Sequence, residues 1–395
     1  MKTRILVLGG GFAGLAAVDE LARWQKSGME LDIHLVDRSP HSVFAPLLPD
    51  LLSRRVRSRN VRYDLVAHCR RRGARFSRAD VKCVEPAEKK MITSKGEYDA
   101  DRIVVCPGCD TNYFGNSDAG RFAPGLKTVE EAETLRERTL RSPETVRVIV
   151  VGGGYTGFET ASHLAYLLHH TSGTPYRQLW RDSRVMILEI AEDVLSNMPV
   201  SARRYATRVM RDFGVRIRTG VTVESFRDRH TARLTDGSTV ENAVVAWTAG
   251  VKPGDACGGL PTDPELDGRI AVDDYLQVRG TDGVFAAGDA AGARQPDGPG
   301  PLRLSVPFAY EGGRLAARNA VASVRGEPMT PFQPFDPGYI LPLAPGKGFG
   351  IVMGQRLQGM TVCALHYAIS IAKSRGLHNR CGLVRDIVGG MLTRP

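Results

Sequence analysis

The sequence predicts an α/β protein with two parallel, doubly wound sheets, and three observations support this fold class. A strand, a glycine-rich turn and a helix follow one another twice, in "RILVLGGGFAGLAAVDELARW" from Arg4 and in "RVIVVGGGYTGFETASHLAYLL" from Arg147. Each repeat leads into a second apolar strand that ends in an acidic residue. The 395 residues, 42% of them hydrophobic, can bury the cores of two or three domains. The pattern is that of two Rossmann-like domains in one chain.

The formal net charge of +10 raises the question of an acidic partner. Part of the excess lies in the arginine-rich segment between Arg54 and Arg78. This segment lacks the regular aromatic interleaving of a nucleic-acid site, so a solvated surface is the favoured interpretation and we expect no nucleic-acid partner.

The seven cysteines are scattered and odd in number, so they indicate neither a disulfide framework nor a metal site with paired ligands. We therefore expect no bound metal and a reducing compartment, the cytoplasm. No apolar segment reaches about 18 residues, so no helix is expected to span a bilayer. Peripheral attachment to the inner face of the cell membrane stays open.

The first glycine-rich turn has the context of a dinucleotide site. A strand at residues 5–8 precedes it, a helix from about Phe12 to Trp24 follows it, and the next strand, "LDIHLVD", ends in Asp37. The glycines of the G-x-G-x-x-G pattern are Gly9, Gly11 and Gly14. Glycine allows the tight turn, the approach of a pyrophosphate and close packing of helix on strand, while the terminal carboxylate accepts ribose hydroxyls.

The second turn repeats this design. Its strand covers residues 146–151, its helix runs to about His169, and the strand "RVMILE" ends in Glu189. The matching glycines are Gly152, Gly154 and Gly157. The inserted "HHTSGTPYRQLWRDS" makes the spacing to Glu189 longer than usual. A terminal acid favours the free 2′-hydroxyl of NADH over the 2′-phosphate of NADPH.

A third segment distinguishes the two sites. "GVFAAGDAAG", from Gly283 to Gly292, is a short apolar strand that runs into Gly288 and Asp289. It looks like the flavoprotein signature in which the aspartate binds the ribityl or pyrophosphate part of FAD and a helix points its positive end at the phosphates. We therefore expect FAD in the first fold and a nicotinamide nucleotide in the second.

Six segments resemble the type II NADH:quinone oxidoreductases, over nearly the whole chain. In order, they are "FAPLLPDLL", "TNYFGN", "GYTGFETASHL", "VAWTAGVKP", "VFAAGDAA" and "GLHNRCGLVRDIV". The redox cysteine pair of glutathione-reductase-like enzymes is missing from the corresponding "RSPHSVFAPLLPDLLS". The resemblance implies hydride transfer from NADH to FAD, followed by two-electron reduction of a quinone.

The resemblance also implies two catalytic residues. Glu159, in "TGFE", matches a carboxylate that lies near the nicotinamide and flavin in related enzymes. Its alternative role is to complement the helix dipole. Lys252, in "TAGVKP", matches a loop that the family places over the flavin, where a lysine would stabilise negative charge. Its alternative is a solvated lysine.

The expected acceptor site departs from the family pattern. In "LSVPFAYEGG", Pro307 and Glu311 replace the two glutamines of the family's quinone helix, and Tyr310 lies beside the second. Proline fits only the first turn of a helix, and glutamate adds charge where a neutral quinone would bind. These departures leave open a different small-molecule acceptor.

Cys106 and Cys109 form a C-x-x-C in "VVCPGCD", a segment expected beside FAD. Two interpretations are open. The pair is redox-active, as in the related sulfide:quinone oxidoreductases, or the cysteines are inert small residues.

The carboxyl end predicts an amphipathic helix with basic flanks. Its apolar residues at helical spacing are Leu383, Val384, Ile387, Val388, Met391 and Leu392, and its arginines are Arg380, Arg385 and Arg394. Such a helix can lie in a membrane interface, and the family uses this end as its anchor. The alternative is a helix packed on the body or in a homodimer interface, since Gly389 and Gly390 weaken a long helix.

The order of the motifs predicts the domains. We expect a discontinuous FAD-binding domain at residues 1–112 and 245–325, an inserted NAD(P)H-binding domain at 113–244, and a C-terminal α-helical extension at 326–395. Prolines and glycines in "EPMTPFQPFDPG" mark the passage into this extension.

The predicted function is an FAD-dependent NADH:quinone oxidoreductase at a membrane surface. Two alternatives stay open. One is a soluble flavoenzyme of the same ancestry with another small-molecule acceptor. The other is a non-catalytic FAD-binding redox sensor that binds a partner through its basic surface.

Overall fold

A computed structural model describes residues 2–294, 300–343 and 346–392. The chain forms two compact units. The first unit consists of Met1–Ser42, Asp64–Asp110 and Val251–Asp336, and the second of Val43–Tyr63, Thr111–Gly250 and Pro337–Pro395. The second unit thus includes a short segment that follows the first glycine-rich turn in the sequence. The boundaries of the nucleotide-binding domains stay a prediction.

The helices and strands of the described residues are numbered in chain order. The helices are α1 (Phe12–Lys26), α2 (Leu48–Leu52), α3 (Leu65–Arg72), α4 (Ser117–Phe122), α5 (Val129–Leu140), α6 (Tyr155–Ser172), α7 (Tyr176–Arg181), α8 (Val200–Asp212), α9 (Val306–Arg325), α10 (Met360–Lys373) and α11 (Leu377–Leu392). The first half of the strands are β1 (Thr3–Leu8), β2 (Leu31–Asp37), β3 (His41–Val43), β4 (Arg62–Asp64), β5 (Arg75–Arg78), β6 (Val81–Glu85), β7 (Lys90–Thr93), β8 (Gly96–Asp99), β9 (Arg102–Val105), β10 (Cys109–Thr111), β11 (Arg147–Val151) and β12 (Val185–Glu189). The others are β13 (Val215–Thr219), β14 (Val223–Asp228), β15 (Thr231–Leu234), β16 (Thr239–Val240), β17 (Ala243–Trp247), β18 (Val251–Pro253), β19 (Thr262–Asp263), β20 (Arg269–Ile270), β21 (Val284–Ala286), β22 (Gly338–Leu343), β23 (Lys347–Val352) and β24 (Gln355–Gln358).

The core of the first unit is a five-stranded parallel sheet in the order β21-β9-β1-β2-β5. Its central strand β1 is buried from Ile5 to Leu8, as expected for a parallel sheet that is covered on both faces. The carboxyl ends of parallel strands meet at one edge. There β1 runs into Gly9, β2 ends in Asp37, and β21 is followed by Ala287 and Gly288. Ligands of open α/β sheets bind at this edge.

Helices α1 and α9 of the first unit pack against each other through small residues. A Cβ atom added at Gly313 of α9 would lie 2.1 Å from the carbonyl oxygen of Ala13 in α1. The two helix backbones are therefore in contact at this point. Buried Glu20 of α1 reinforces the contact, because its Oε1 accepts a hydrogen bond from Nε of Arg318 in α9 at 2.6 Å.

The second unit is built around a four-stranded parallel sheet in the order β13-β12-β11-β17. Helix α6 follows β11 and ends before Gly173, whose φ of 68° forms a left-handed cap. Ile149, Leu188 and Trp247 from three of the strands belong to one buried apolar cluster. The predicted fold class is confirmed, since both repeats form the strand, turn and helix of a parallel sheet and helices close the chain.

The C-terminal part of the second unit contains the antiparallel sheet β22-β23-β24 followed by α10 and α11. Polar side chains hold α11 in place. Buried Asp386 accepts hydrogen bonds from Nδ2 of Asn60 at 2.5 Å and from the backbone N–H of Arg57 at 2.9 Å. Asn379 donates from Nδ2 to the carbonyl oxygen of Arg62 at 2.7 Å.

Only part of the apolar face predicted for this helix is buried. Leu383 and Ile387 are buried, whereas Val384 is 45% and Val388 48% exposed. Packing on the body therefore uses one side of α11 and leaves the other to solvent. The side chains of Met391 and Leu392 and the whole of Arg394 lie outside the described residues. Among the described helices, no segment is long and apolar enough to cross a membrane.

We predict that Gly313→Ala destabilises the first unit by about 1–3 kcal/mol, because the added methyl group forces α1 and α9 apart. Urea unfolding of the purified protein measures this change.

The matched control is Gly312→Ala, next to it on α9, where the nearest atom to an added Cβ lies 3.6 Å away. The free energy of unfolding of this variant should equal that of the wild type or exceed it by roughly 0.5–1 kcal/mol, because alanine favours the helix. Equal stability of the two variants would contradict the close contact.

Candidate functional site

The first glycine-rich turn contains two kinds of glycine. Gly9 has a φ of +92°, and a Cβ at Gly14 would lie 1.7 Å from the carbonyl oxygen of Gly9, so the fold itself requires both. Gly11 has an ordinary φ of −74°. A Cβ at Gly11 would meet no described atom within 4 Å. The fold does not require glycine at this position. Its missing side chain instead leaves a space that a ligand can occupy.

Asp37, at the end of β2, binds the same turn. Its Oδ2 accepts a hydrogen bond from the N–H of Gly10 at 2.6 Å, and its Oδ1 accepts one from the N–H of Ser39 at 2.7 Å. Burial raises the pKa of this carboxyl, and the two backbone hydrogen bonds oppose the rise. The carboxylate is thus oriented beside the space at Gly11, as ribose recognition requires.

The second turn has the same division of roles. Gly152 has a φ of +106°, and a Cβ at Gly157 would lie 1.9 Å from the carbonyl oxygen of Gly152. Gly154 has a φ of −84°. A Cβ at Gly154 would again meet no described atom within 4 Å. This turn therefore also keeps a space that a side chain would fill.

Glu189 holds the second turn as Asp37 holds the first. Its Oε2 accepts a hydrogen bond from the N–H of Gly153 at 2.7 Å, and its Oε1 accepts one from the N–H of Ala191 at 2.9 Å. The insertion before β12 forms α7 (Tyr176–Arg181) and leaves Glu189 at the end of the strand. The longer spacing in the sequence does not displace the carboxylate.

Both turns present a helix N-terminus. Helices α1 and α6 have Gly11 and Gly154 as N-caps, which carry no side-chain oxygen to cover the first N–H groups. These N–H groups can bind an anion, and the positive end of each helix dipole strengthens that binding. The arrangement fits the pyrophosphate of a dinucleotide in each unit.

A further turn completes the first site. Gly288 and Asp289 form a short 3₁₀ turn after β21, at the carboxyl edge of the first sheet. Gly288 has a φ of +76°, and an added Cβ would lie 3.0 Å from Cβ of Ala13 in α1. The first unit therefore brings the predicted residues Gly9, Gly11, Gly14, Asp37, Gly288 and Asp289 to one edge of its sheet.

The C-x-x-C cysteines differ in environment. Cys106 is buried, which raises the pKa of its thiol to about 12. Sγ of Cys109 donates a hydrogen bond to the carbonyl oxygen of Asp289 at 3.2 Å. Since the thiolate is the reactive form, Cys106 stays unreactive at neutral pH. The inert interpretation is therefore favoured for this residue.

The remaining predicted residues of the first unit lie near its surface. Nζ of Lys252 lies 3.1 Å from Oδ1 of Asp255, and both side chains are exposed. Pro307 occupies the first turn of α9, where a proline is tolerated. Tyr310 is half-buried and Glu311 is exposed on the same helix. Their roles in catalysis and acceptor binding stay predictions.

Glu159 lies on α6, two residues after Gly157, and is half-buried. Burial and the nearby charge of Asp50 raise its pKa well above the ordinary value. Asp50, on α2, is itself only 3% exposed. Burial raises the pKa of Asp50 to about 6. Two carboxyl groups with raised pKa values thus lie in the same unit as the second turn.

Asp50 belongs to a network that the sequence analysis did not identify. Oη of Tyr367 on α10 donates a hydrogen bond to Oδ1 of Asp50 at 2.7 Å, and Nη1 of Arg55 donates to the same hydroxyl at 3.1 Å. The available signal was a charged residue inside the apolar run "APLLPDLL", since a lone carboxylate is rarely buried without a partner. The partner lies 317 residues away in the sequence.

We predict that Asp50→Asn removes a pH-dependent loss of stability. Burial raises the pKa of Asp50 from its ordinary 3.8 to about 6 in the folded protein, so the folded state binds the proton more tightly. The resulting stabilisation is fully present below pH 3.8 and is lost as the pH rises through 6. Between pH 4 and 7 the free energy of unfolding of the wild type should therefore fall, relative to the variant, by on the order of 2–3 kcal/mol.

Urea unfolding at several pH values measures the difference. The exposed Asp193→Asn variant serves as the control and should follow the wild type. A constant difference between wild type and Asp50→Asn across this pH range would contradict the assignment.

Comparison with known proteins places this geometry in a family. The model of the pyridine nucleotide-disulphide oxidoreductases matches residues 3–321. The type II NADH:quinone oxidoreductase Ndh of Mycobacterium tuberculosis is 28% identical over 372 residues, which cover 85% of this chain and 77% of that protein. The NADH dehydrogenase-like protein Rv1812c of the same organism is 31% identical over 353 residues, which cover 83% of this chain and 82% of that protein.

A solved structure shares the fold. The structure of NDH2 from Plasmodium falciparum in complex with NADH matches with a TM-score of 0.84 and 14% identity, and the match covers 100% of this chain and 99% of that chain. The fold, the two glycine-rich turns and the extent of the family match all indicate the same family. This chain belongs to the pyridine nucleotide-disulphide oxidoreductase family.

Proposed function

We propose that this chain is an FAD-dependent oxidoreductase that takes a hydride from NADH and passes two electrons to a quinone. One observation carries the proposal: each unit has a glycine-rich turn with an open space at its second glycine and a carboxylate fixed beside it. Two such sites suit one flavin and one nicotinamide dinucleotide. Relatives that are named type II NADH:quinone oxidoreductases support the donor and the acceptor.

The first turn suits FAD and the second suits NADH. The first unit adds Gly288 and Asp289 at the same sheet edge, where an aspartate can bind the ribityl or pyrophosphate part of FAD. In the second unit Glu189 is positioned to accept hydroxyl hydrogen bonds from the adenosine ribose. A carboxylate there would repel the 2′-phosphate of NADPH, which favours NADH.

The protein contributes binding and orientation to the reaction. Bound FAD would supply the hydride-accepting and two-electron chemistry. The N-termini of α1 and α6 would neutralise the pyrophosphates, and Asp37 and Glu189 would orient the riboses. Glu159 and Lys252 are the proposed catalytic residues, Glu159 for proton transfer and Lys252 for stabilising negative charge.

The acceptor site is proposed at the start of α9, with Pro307, Tyr310 and Glu311. A relative named demethylphylloquinone reductase, 26% identical over 383 residues, supports a quinone acceptor. The exposed carboxylate of Glu311 instead favours the second candidate function, a soluble flavoenzyme whose acceptor is a more polar small molecule.

The outer side of α11 is proposed to bind a membrane surface. Val384, Val388 and Cys381 are exposed there, and Arg380 and Arg385 line the same groove. Apolar side chains flanked by arginines suit an anionic lipid surface, such as the inner face of the cell membrane. A homodimer interface on this side is the alternative.

We predict that NADH bleaches the flavin absorbance much faster than NADPH does, and that a short-chain quinone then restores it. Anaerobic stopped-flow mixing measures both steps. Fast bleaching without reoxidation by quinone would indicate that the electron acceptor is another small molecule. No bleaching with either nucleotide would support the non-catalytic sensor.

Two glycine variants should separate the two nucleotide sites. Gly11→Ala should lower FAD content, and Gly154→Ala should retain FAD but raise the KM for NADH by roughly tenfold or more, about 1.4 kcal/mol of binding. Neither added methyl group meets a described protein atom, so folding should be preserved. Flavin absorbance and steady-state kinetics provide the readouts. Loss of FAD from Gly154→Ala alone would reverse the assignment of the sites.

A double variant tests the membrane surface. Val384→Glu with Val388→Glu should abolish co-sedimentation with anionic phospholipid vesicles, because two charges enter the lipid-facing side. The control is Val66→Glu on α3, where the valine is 50% exposed. Unchanged vesicle binding, or loss of a dimer instead, would contradict attachment through α11.

A further inference from the structure

The C-terminal antiparallel sheet of the second unit contacts the helix that follows the second glycine-rich turn. The ring centres of Tyr155, the first residue of α6, and Tyr339 of β22 lie 5.7 Å apart, and the ring planes are inclined by 87°. This is an edge-to-face arrangement, which aromatic rings prefer. Tyr155 directly follows Gly154, where an added Cβ would meet no described atom within 4 Å. The aromatic contact therefore lies next to the space that we assign to the nicotinamide nucleotide.

The position of Tyr155 on its helix directs the side chain towards this space. In an α-helix the Cα–Cβ bonds tilt towards the N-terminus, so the first residue projects its side chain beyond the first turn. Tyr155 is half-buried, so part of the side chain stays accessible to a ligand. A tyrosine offers a flat apolar ring with a hydroxyl at its tip, which suits the base and ribose of a nucleotide. Tyr155 is thus placed to contact the dinucleotide that the N-terminus of α6 would bind.

Close backbone packing fixes the position of Tyr339. Gly338, directly before it, has a φ of +100°, and a Cβ added there would lie 1.9 Å from the carbonyl oxygen of Ile351 in β23. Only glycine permits this approach. Tyr339 itself pairs with Ile351 in the antiparallel ladder of β22 and β23. The backbone that carries the Tyr339 ring is therefore held on two sides, by the glycine contact and by the ladder.

The ring of Tyr339 is also supported by other aromatic residues of the second unit. Its centre lies 6.4 Å from that of Phe349 in β23, which is fully buried. The ring of Phe349 lies 6.3 Å from that of Tyr205 in α8. A row of aromatic rings thus runs from α8 through the C-terminal sheet to the start of α6. Such a row can hold Tyr155 in one orientation.

We propose that Tyr339 is a positioning residue, which holds the ring of Tyr155 in the orientation that contacts the bound nicotinamide nucleotide. The C-terminal sheet then forms part of the NADH site. This inference rests on the proposed function, because it takes NADH as the ligand of the second turn. Without Tyr339, the ring of Tyr155 must be ordered when the nucleotide binds, and the loss of its conformational freedom weakens binding.

Binding of NAD⁺ to the FAD-loaded protein tests this inference without turnover. In isothermal titration calorimetry, Tyr339→Leu should raise the Kd roughly two- to tenfold, the range expected from the loss of one aromatic pair. Tyr339→Phe keeps the ring and should bind NAD⁺ as the wild type does. The matched control is Ile340→Ala, the next residue of β22, whose side chain points to the opposite face of the sheet. It should leave the Kd unchanged.

A double-mutant cycle separates positioning from a general loss of structure. Tyr155→Leu should also raise the Kd for NAD⁺, because the contact with the nucleotide is lost. If Tyr339 acts through Tyr155, the two effects are not additive. Tyr339→Leu should then change the Kd much less in the Tyr155→Leu background than in the wild type. A defect of the sheet itself would weaken binding by the same factor in both backgrounds.

The outcomes distinguish this inference from the proposed function. An unchanged Kd in Tyr339→Leu overturns the positioning role, and so does an equal increase in both backgrounds. If Tyr339→Leu does not fold, Tyr339→Ile decides, because a β-branched side chain suits a strand. If the wild type binds NAD⁺ but no quinone reoxidises its flavin, the proposed acceptor fails, while the Kd values still decide the role of Tyr339. If the wild type binds no NAD⁺, both the proposed function and the positioning role fail.

Discussion

The close approach of a helix to the glycine that ends the preceding strand is the constraint on which both nucleotide sites depend. At Gly14 and Gly157 an added Cβ would lie 1.7 and 1.9 Å from the carbonyl oxygens of Gly9 and Gly152. No other residue permits this distance, and it brings the helix N-terminus over the carboxyl edge of the sheet. The acid of the next strand then bonds to the middle glycine, as Asp37 does to Gly10 and Glu189 to Gly153. Helix, turn and carboxylate are therefore fixed together.

The sequence predicts these sites well because their determinants are local. The glycine spacing, the strand ends and the acids lie within short segments, and the structure places each at its sheet edge. Contacts between segments that are far apart in the sequence have no such local signal. The bond between Tyr367 and Asp50 spans 317 residues, and no periodicity predicts it. The partial burial of α11 likewise depends on the hydrogen bond from Asn60 to Asp386 of this helix, which hydrophobic patterning does not register.

Burying the carboxyl group of Asp50 is costly for the fold. Its ionised form lowers stability at neutral pH, and an apolar residue of similar volume would avoid this cost. Such costs concentrate where a group must carry a proton at physiological pH. The hydrogen bond of Tyr367 to Asp50 also ties α10 to α2, so the C-terminal part of the second unit is held to this buried carboxylate.

The central claim is that one chain holds two different dinucleotides at once. Native mass spectrometry of the purified protein with added NAD⁺ tests it most directly, because the oxidised nucleotide binds without turnover. The account predicts a species with one chain, one FAD and one NAD⁺. A species that never carries more than one dinucleotide, or the displacement of FAD by NAD⁺, would contradict it.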